Sequence, residues 1–156
     1  MNKLPIIALI PFLVAGCSTS NTGGDNNTTG GTTTATDGVK AALPYIAPAV
    51  TLACTVVLEQ ALSPGDRNEK AKMINHVATI VESLTRGSTP TPDELRNALT
   101  DYLPQEKTHW VVYVNAVRDI YSAQFNKLNG DGKLAVDVLN AIAKGCKDAT
   151  ASYVAN

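Results

Sequence analysis

Beyond Val39, apolar positions recur at three- and four-residue spacing, the pattern of helices that each bury one face. Ile46, Val50, Cys54, Val57, Leu58 and Ala61 line the first stripe. Pro44 and Pro48 are predicted to hold its entry to a turn or a kink. Ser63-Pro64-Gly65-Asp66 then reads as a cap, a proline at the first helical position and an acid in the first turn. Ile74, Val77, Val81 and Leu84 give the second helix its buried face, and Gly87 fits its stop. Thr91-Pro92-Asp93-Glu94 is the clearest local signal: Thr91 caps, Pro92 pre-sets the backbone angle, and Glu94 reaches back to complete a capping box. The short helix that follows presents Leu95, Ala98, Leu99 and Tyr102 and is predicted to end near Pro104.

The segment "HWVVYV" is rich in β-branched residues and, taken alone, passes for a strand. Its apolar stripe continues through Trp110, Val114, Val117, Tyr121 and Leu128, which favours a helix. Gly130 and Gly132 break the chain, and a last helix buries Leu134, Val138, Leu139, Ile142, Cys146 and Tyr153. No internal repeat is evident. The expected fold is all-α, a compact bundle of four to five helices over residues 39–156.

Before residue 39 the pattern is of another kind. Lys3 supplies one positive charge, and an apolar run extends from Leu4 to Gly16. That run is shorter than the roughly 20 residues a bilayer span needs, but it suits the apolar region of a secretory signal peptide. Pro5 and Pro11 also disfavour a long regular helix. From Ser18 to Gly38 the chain is almost entirely Ser, Thr, Asn and Gly, with Asp25 and Asp37 its only charges. Such a composition buries too little apolar surface to offset its ordering entropy. It is expected to act as a coil with a reach of roughly 25 Å, either a leash or an inert spacer.

The junction between these segments reads Leu13-Val14-Ala15-Gly16-Cys17. An aliphatic residue, two small residues and a cysteine resemble the lipobox of bacterial lipoproteins. The resemblance covers only these first residues. It implies that 1–16 is a signal peptide cut before Cys17, whose thiol takes a diacylglycerol thioether and whose new terminus is acylated. Residues 17–38 would then be the lipidated cysteine and its tether, with membrane lipid as the partner held through Cys17. Several acyl chains anchor far more firmly than one, since each buried methylene contributes about 0.8 kcal/mol. Ser18 stands where inner-membrane lipoproteins often carry Asp, so the resemblance implies the outer membrane, facing the periplasm.

Composition narrows the rest. In 156 residues the net charge is −1 and aromatics are 5%, so neither a basic field nor a stacking platform points to nucleic acid. Of three cysteines, Cys17 is assigned to lipid, which leaves Cys54 and Cys146 on predicted buried faces. A facing pair in an exported protein is expected to oxidise. The bridge would close a loop of roughly 90 residues, for which chain entropy gives about 4–5 kcal/mol. The alternative is two separate buried thiols acting as small hydrophobes.

Candidate chemistry is sparse. Asn129-Gly130-Asp131-Gly132 invites an EF-hand reading, but that register places Lys127 and Val138 where calcium needs oxygen ligands. A turn in which Asp131 caps the next helix fits better. His76 lacks a ligand-type partner one turn on, and His109 falls near a helix start, so no zinc motif forms. No nucleophile elbow or phosphate loop occurs, and neither an enzyme, a metal nor a cofactor is expected. His109, Val112 and Tyr113 lie beside the fourth stripe as a candidate partner surface, unless that helix is buried all round. The leading expectation is a lipid-anchored domain that binds or inhibits another envelope protein. A structural envelope component and a hydrolase with dispersed residues are the alternatives, and a deep polar pocket joining Glu82, His76 and a serine would mark the latter.

Overall fold

Residues 35–102, 109–128 and 131–155 are described by the computed structural model, with side chains placed for all of these except 35, 109, 110, 112, 113 and 127. They form five α-helices: α1 (Ala35–Val56), α2 (Pro64–Thr85), α3 (Pro92–Tyr102), α4 (His109–Lys127) and α5 (Gly132–Val154). No strand occurs among the described residues, so the expected all-α bundle is the observed fold and "HWVVYV" is helical.

Helix α1 departs most from expectation. It starts four residues before Val39, with Asp37 in its first turn where an acid complements the helix dipole, and it runs through both Pro44 and Pro48. Each proline removes one N–H from the ladder. Both prolines lie on the exposed side of the helix, as does Lys40, so the carbonyls of Lys40 and Pro44 that they leave without an N–H partner belong to exposed residues. Packing of Val39, Leu43 and Val50 on the opposite side holds the helix together. The helix closes in a wider π-type turn, Val57–Ala61, which buries the adjacent Val57 and Leu58. That turn also moves Ala61 off the stripe predicted for it and into solvent. The Arg67 guanidinium donates to the carbonyls of Leu62 and Glu59, satisfying acceptors that the helix end leaves without N–H partners.

The remaining caps follow the sequence. The Asp66 N–H donates to Ser63 Oγ at 3.3 Å with Pro64 opening α2, and Gly87, at φ 80°, follows the end of that helix. Thr91 and Glu94 close the capping box: the Thr91 N–H donates to Glu94 Oε2 at 2.7 Å, and the Glu94 N–H donates to Thr91 Oγ1 at 3.3 Å. Asp131 accepts from the Leu134 N–H at 3.1 Å to start α5. Leu95 and Leu99 of α3 are fully buried, but Tyr102 is 65% exposed. It belongs to the last turn of a short helix, beyond the point where Leu95 and Leu99 fill the contact with the core.

Helix α5 is the hub. It packs along α1 on one side and α2 on the other, while α3 pairs with α4. Leu134, Ala135, Val138, Leu139 and Ala143 join Val77, Val81, Leu95, Leu99 and Tyr121 in the core. The Tyr121 hydroxyl donates to the Pro90 carbonyl at 2.7 Å, fastening the loop before α3 to α4. Gly145 sits under α1: a Cβ there would lie 2.6 Å from the Ala47 carbonyl oxygen and 2.7 Å from Val50 Cβ. Gly145→Ala is therefore expected to destabilise the fold by about 1–3 kcal/mol through overpacking, read as a lower urea midpoint.

The capping box carries a pH signature. Hydrogen bonds from the Thr91 N–H and hydroxyl hold the Glu94 carboxyl below its ordinary range. A carboxyl depressed by folding contributes stability above its unfolded pKa of about 4.3, and that contribution is lost as pH falls through the folded value. Urea melts should find Glu94→Gln less stable than wild type at neutral pH and equal to it in strong acid.

Candidate functional site

The close approach of α1 and α5 at Gly145 brings the next residue, Cys146, against Cys54, one helical turn beyond Val50. Their Sγ atoms are 3.7 Å apart, and both cysteines are free thiols. The facing pair expected from the sequence is present; the bond between its sulfurs is not. The pair is asymmetric. A hydrogen bond from Cys146 lowers the Cys54 thiol pKa, against the opposing effect of burial. Its own bond to Cys54, then burial, then the charge on Cys54, push Cys146 up. Cys54 is thus the sulfur that ionises first, and the thiolate is the reactive form.

A second candidate lies on the other flank of α5. Glu82 of α2, Arg86 just past its end, and Asn140, Ala141 and Lys144 of α5 line an open groove. Glu82 is engaged there by the Lys147 ammonium at 2.6 Å. Nearby, Thr85 donates to Asn140 Oδ1 at 2.6 Å, and Asn75 donates to Thr150 Oγ1 at 3.0 Å. These bonds join the faces of α2 and α5 and account for the polar residues buried between them. The groove contains neither a serine nor His76, so the arrangement that would mark a dispersed hydrolase is not assembled here. Among the described residues, no group of three or more His, Cys, Asp and Glu side chains is placed to hold a metal ion.

Two other predicted sites fall outside what is described. Cys17 precedes the described residues. The backbone of His109, Val112 and Tyr113 belongs to the first turns of α4, but their side chains are outside the described set. Their neighbour Val111 is 54% exposed, and Tyr102, at the end of α3, is exposed as well.

One surface was missed in the sequence. Opposite its packed stripe, α1 presents Ala41, Pro44, Tyr45, Pro48, Leu52 and Val56 to solvent. Tyr45 is 74% exposed and Leu52 68%. No charged residue stands between Lys40 and Glu59. Among the described residues, Thr36–Ala61 is the one helix long and apolar enough to cross a membrane; its most apolar window has mean hydropathy 1.9 and is 17% buried. The missing charges were the legible signal. A periodicity search finds the stripe that faces the core and does not ask whether the opposite face is polar.

The thiol asymmetry has a direct consequence: in reduced protein at mildly alkaline pH, iodoacetamide should modify Cys54 well before Cys146, as read by peptide mass mapping. Faster modification of Cys146 would contradict it. No protein-family model, curated protein or solved structure matches this chain.

Proposed function

We propose that this protein is a lipid-anchored component of the bacterial cell envelope whose helical domain binds another envelope protein. The observation that carries the reading is Leu13-Val14-Ala15-Gly16-Cys17, placed between an apolar leader and a polar Ser/Thr/Asn/Gly segment that leads into α1. Acylation at Cys17 holds the domain at the membrane, and Ser18 directs it to the periplasmic face of the outer membrane. The binding surface is the end of α3 with the start of α4, where Tyr102 and Val111 are exposed beside the segment that carries His109, Val112 and Tyr113. Exposed aromatic and aliphatic side chains of this kind supply the anchors of protein interfaces.

In an oxidising compartment the two facing thiols close into a disulfide. Cys54 thiolate attacks an external disulfide, the Cys146 sulfur then displaces that mixed bond, and two electrons and two protons pass to the external partner, which leaves as two thiols. The separation of 3.7 Å leaves a small movement of two side chains to complete the bond. This bridge ties the C-terminal end of α1 to α5.

Intact mass and membrane fractionation test the anchor. The mature native chain should begin at Cys17 with added acyl mass and sediment with membranes, whereas Cys17→Ala should be unacylated and soluble. Mass analysis after alkylation without reductant should find Cys54 and Cys146 unmodified, and reduction should then lower the unfolding free energy by up to about 4–5 kcal/mol. Cross-linked pulldown of the anchored protein should enrich one stoichiometric envelope protein, and Tyr102→Ser with Val111→Asp should abolish that enrichment. A diffuse set of proteins, unchanged by those substitutions, would indicate a passive structural component.

A further inference from the structure

We infer that the outer face of α1 lies on the lipid surface, so that the domain is held flat against the membrane rather than swinging free on its tether. The inference rests on the acylation of Cys17 proposed above. The face consists of Ala41, Pro44, Tyr45, Pro48, Leu52 and Val56, all exposed and recurring every three or four residues along one side of the helix. An exposed apolar helix face of this length in a soluble domain marks a contact with something apolar. Three observations select lipid as that partner.

The first is place. Residues 18–34 are all that separates the acylated cysteine from Ala35, where α1 begins. A coil of that composition reaches no more than roughly 25 Å on average, so the start of α1 stays close to the headgroups whenever the anchor is inserted. The second is charge. The stripe carries none from Lys40 to Glu59, so inserting it desolvates no ion, and Tyr45 puts an amphipathic ring near its tether end, as favoured at headgroup depth. The third is what the other side of the helix does. Val50, Val57 and Leu58 are buried, Val39 and Leu43 pack on the core, and Ala47 and Val50 press on Gly145. Lying in the interface leaves those contacts intact. Crossing the bilayer would tear α1 from α5 and would leave the carbonyls facing Pro44 and Pro48 without N–H partners in hydrocarbon. A helix half committed to a folded core and half apolar to the outside therefore lies on a membrane rather than spanning it.

The full acylated chain carries the test. Tyr45→Trp and Leu52→Trp place a reporter at two points of the stripe, both at exposed positions that tolerate the change, with Trp110 of the native chain as the common background. Each variant is reconstituted into phosphatidylethanolamine–phosphatidylglycerol vesicles whose acyl chains carry bromine. Expected is a blue-shifted emission from the added tryptophan and quenching well beyond that of the native chain, insensitive to salt because the face bears no charge. An acylated chain in which both added tryptophans stay red-shifted and unquenched overturns this inference while leaving the anchor in place. Blue-shifted but unquenched reporters, with a concentration-dependent dimer in mass measurements, also overturn it and assign the face to a second copy of the chain. A chain without acyl mass overturns the anchor, and this inference with it.

Discussion

Where Ala47 and Val50 press on α5, the chain has no room for a side chain, and Gly145 is the residue that makes the contact possible. Thr51, one turn on from Ala47, donates to the Ala47 carbonyl and also to the Gly145 carbonyl at 3.2 Å, so the close approach carries a polar bond beside its apolar contact. Much else is set by that approach. It fixes the register in which Cys146 meets Cys54. It decides which side of α1 is spent on the core and which is left outward. Two small residues, Gly145 and Ala47, thus determine the exposure of the larger ones around them.

On the other side of α5, side-chain hydrogen bonds accompany the apolar packing. Asn75–Thr150, Thr85–Asn140 and Glu82–Lys147 bridge α2 to α5 beside the apolar contribution of Met73, Val77, Ile80 and Val81 to the core. Buried groups of this sort stabilise little beyond satisfying one another, but any slip of register would leave them without partners. The bundle is therefore tied by a close backbone approach along one flank of its central helix, and by apolar packing supplemented with side-chain hydrogen bonds along the other.

Much of this architecture was legible in the residues because its signals are local. Ser63-Pro64, Thr91 with Glu94, and Asp131 act within one turn of themselves, and each does in the fold what its chemistry suggests. The facing of Cys54 and Cys146 could also be read, since both fall on the periodic stripes of helices long enough to meet. What escaped was non-local or graded. Pro44 and Pro48 read as a turn or a kink at the helix entry because proline weakens a helix, whereas packing from Val39 to Val50 accompanies one continuous helix despite two lost hydrogen bonds. Ala61 and Tyr102 were assigned to the core by a strict 3.6-residue period, which a π-type turn and a helix end each interrupt. The outward face of α1 escaped because two apolar sides produce no contrast for a periodicity to detect.

The pairing of α1 with α5 joins the first described helix to the last. During synthesis, α1 therefore emerges long before the segment that will cover its inner side, and for that interval both of its faces are unpartnered. Non-local pairing of this kind slows folding and leaves apolar surface open to aggregation until the far end of the chain arrives. A helix in that position gains from any nearby apolar phase that shelters it without competing for its final partner. If α1 lies on the lipid surface as proposed, assembly of this domain would be less a matter of the helices finding one another in water than of the last one arriving to claim a first one already held at a surface.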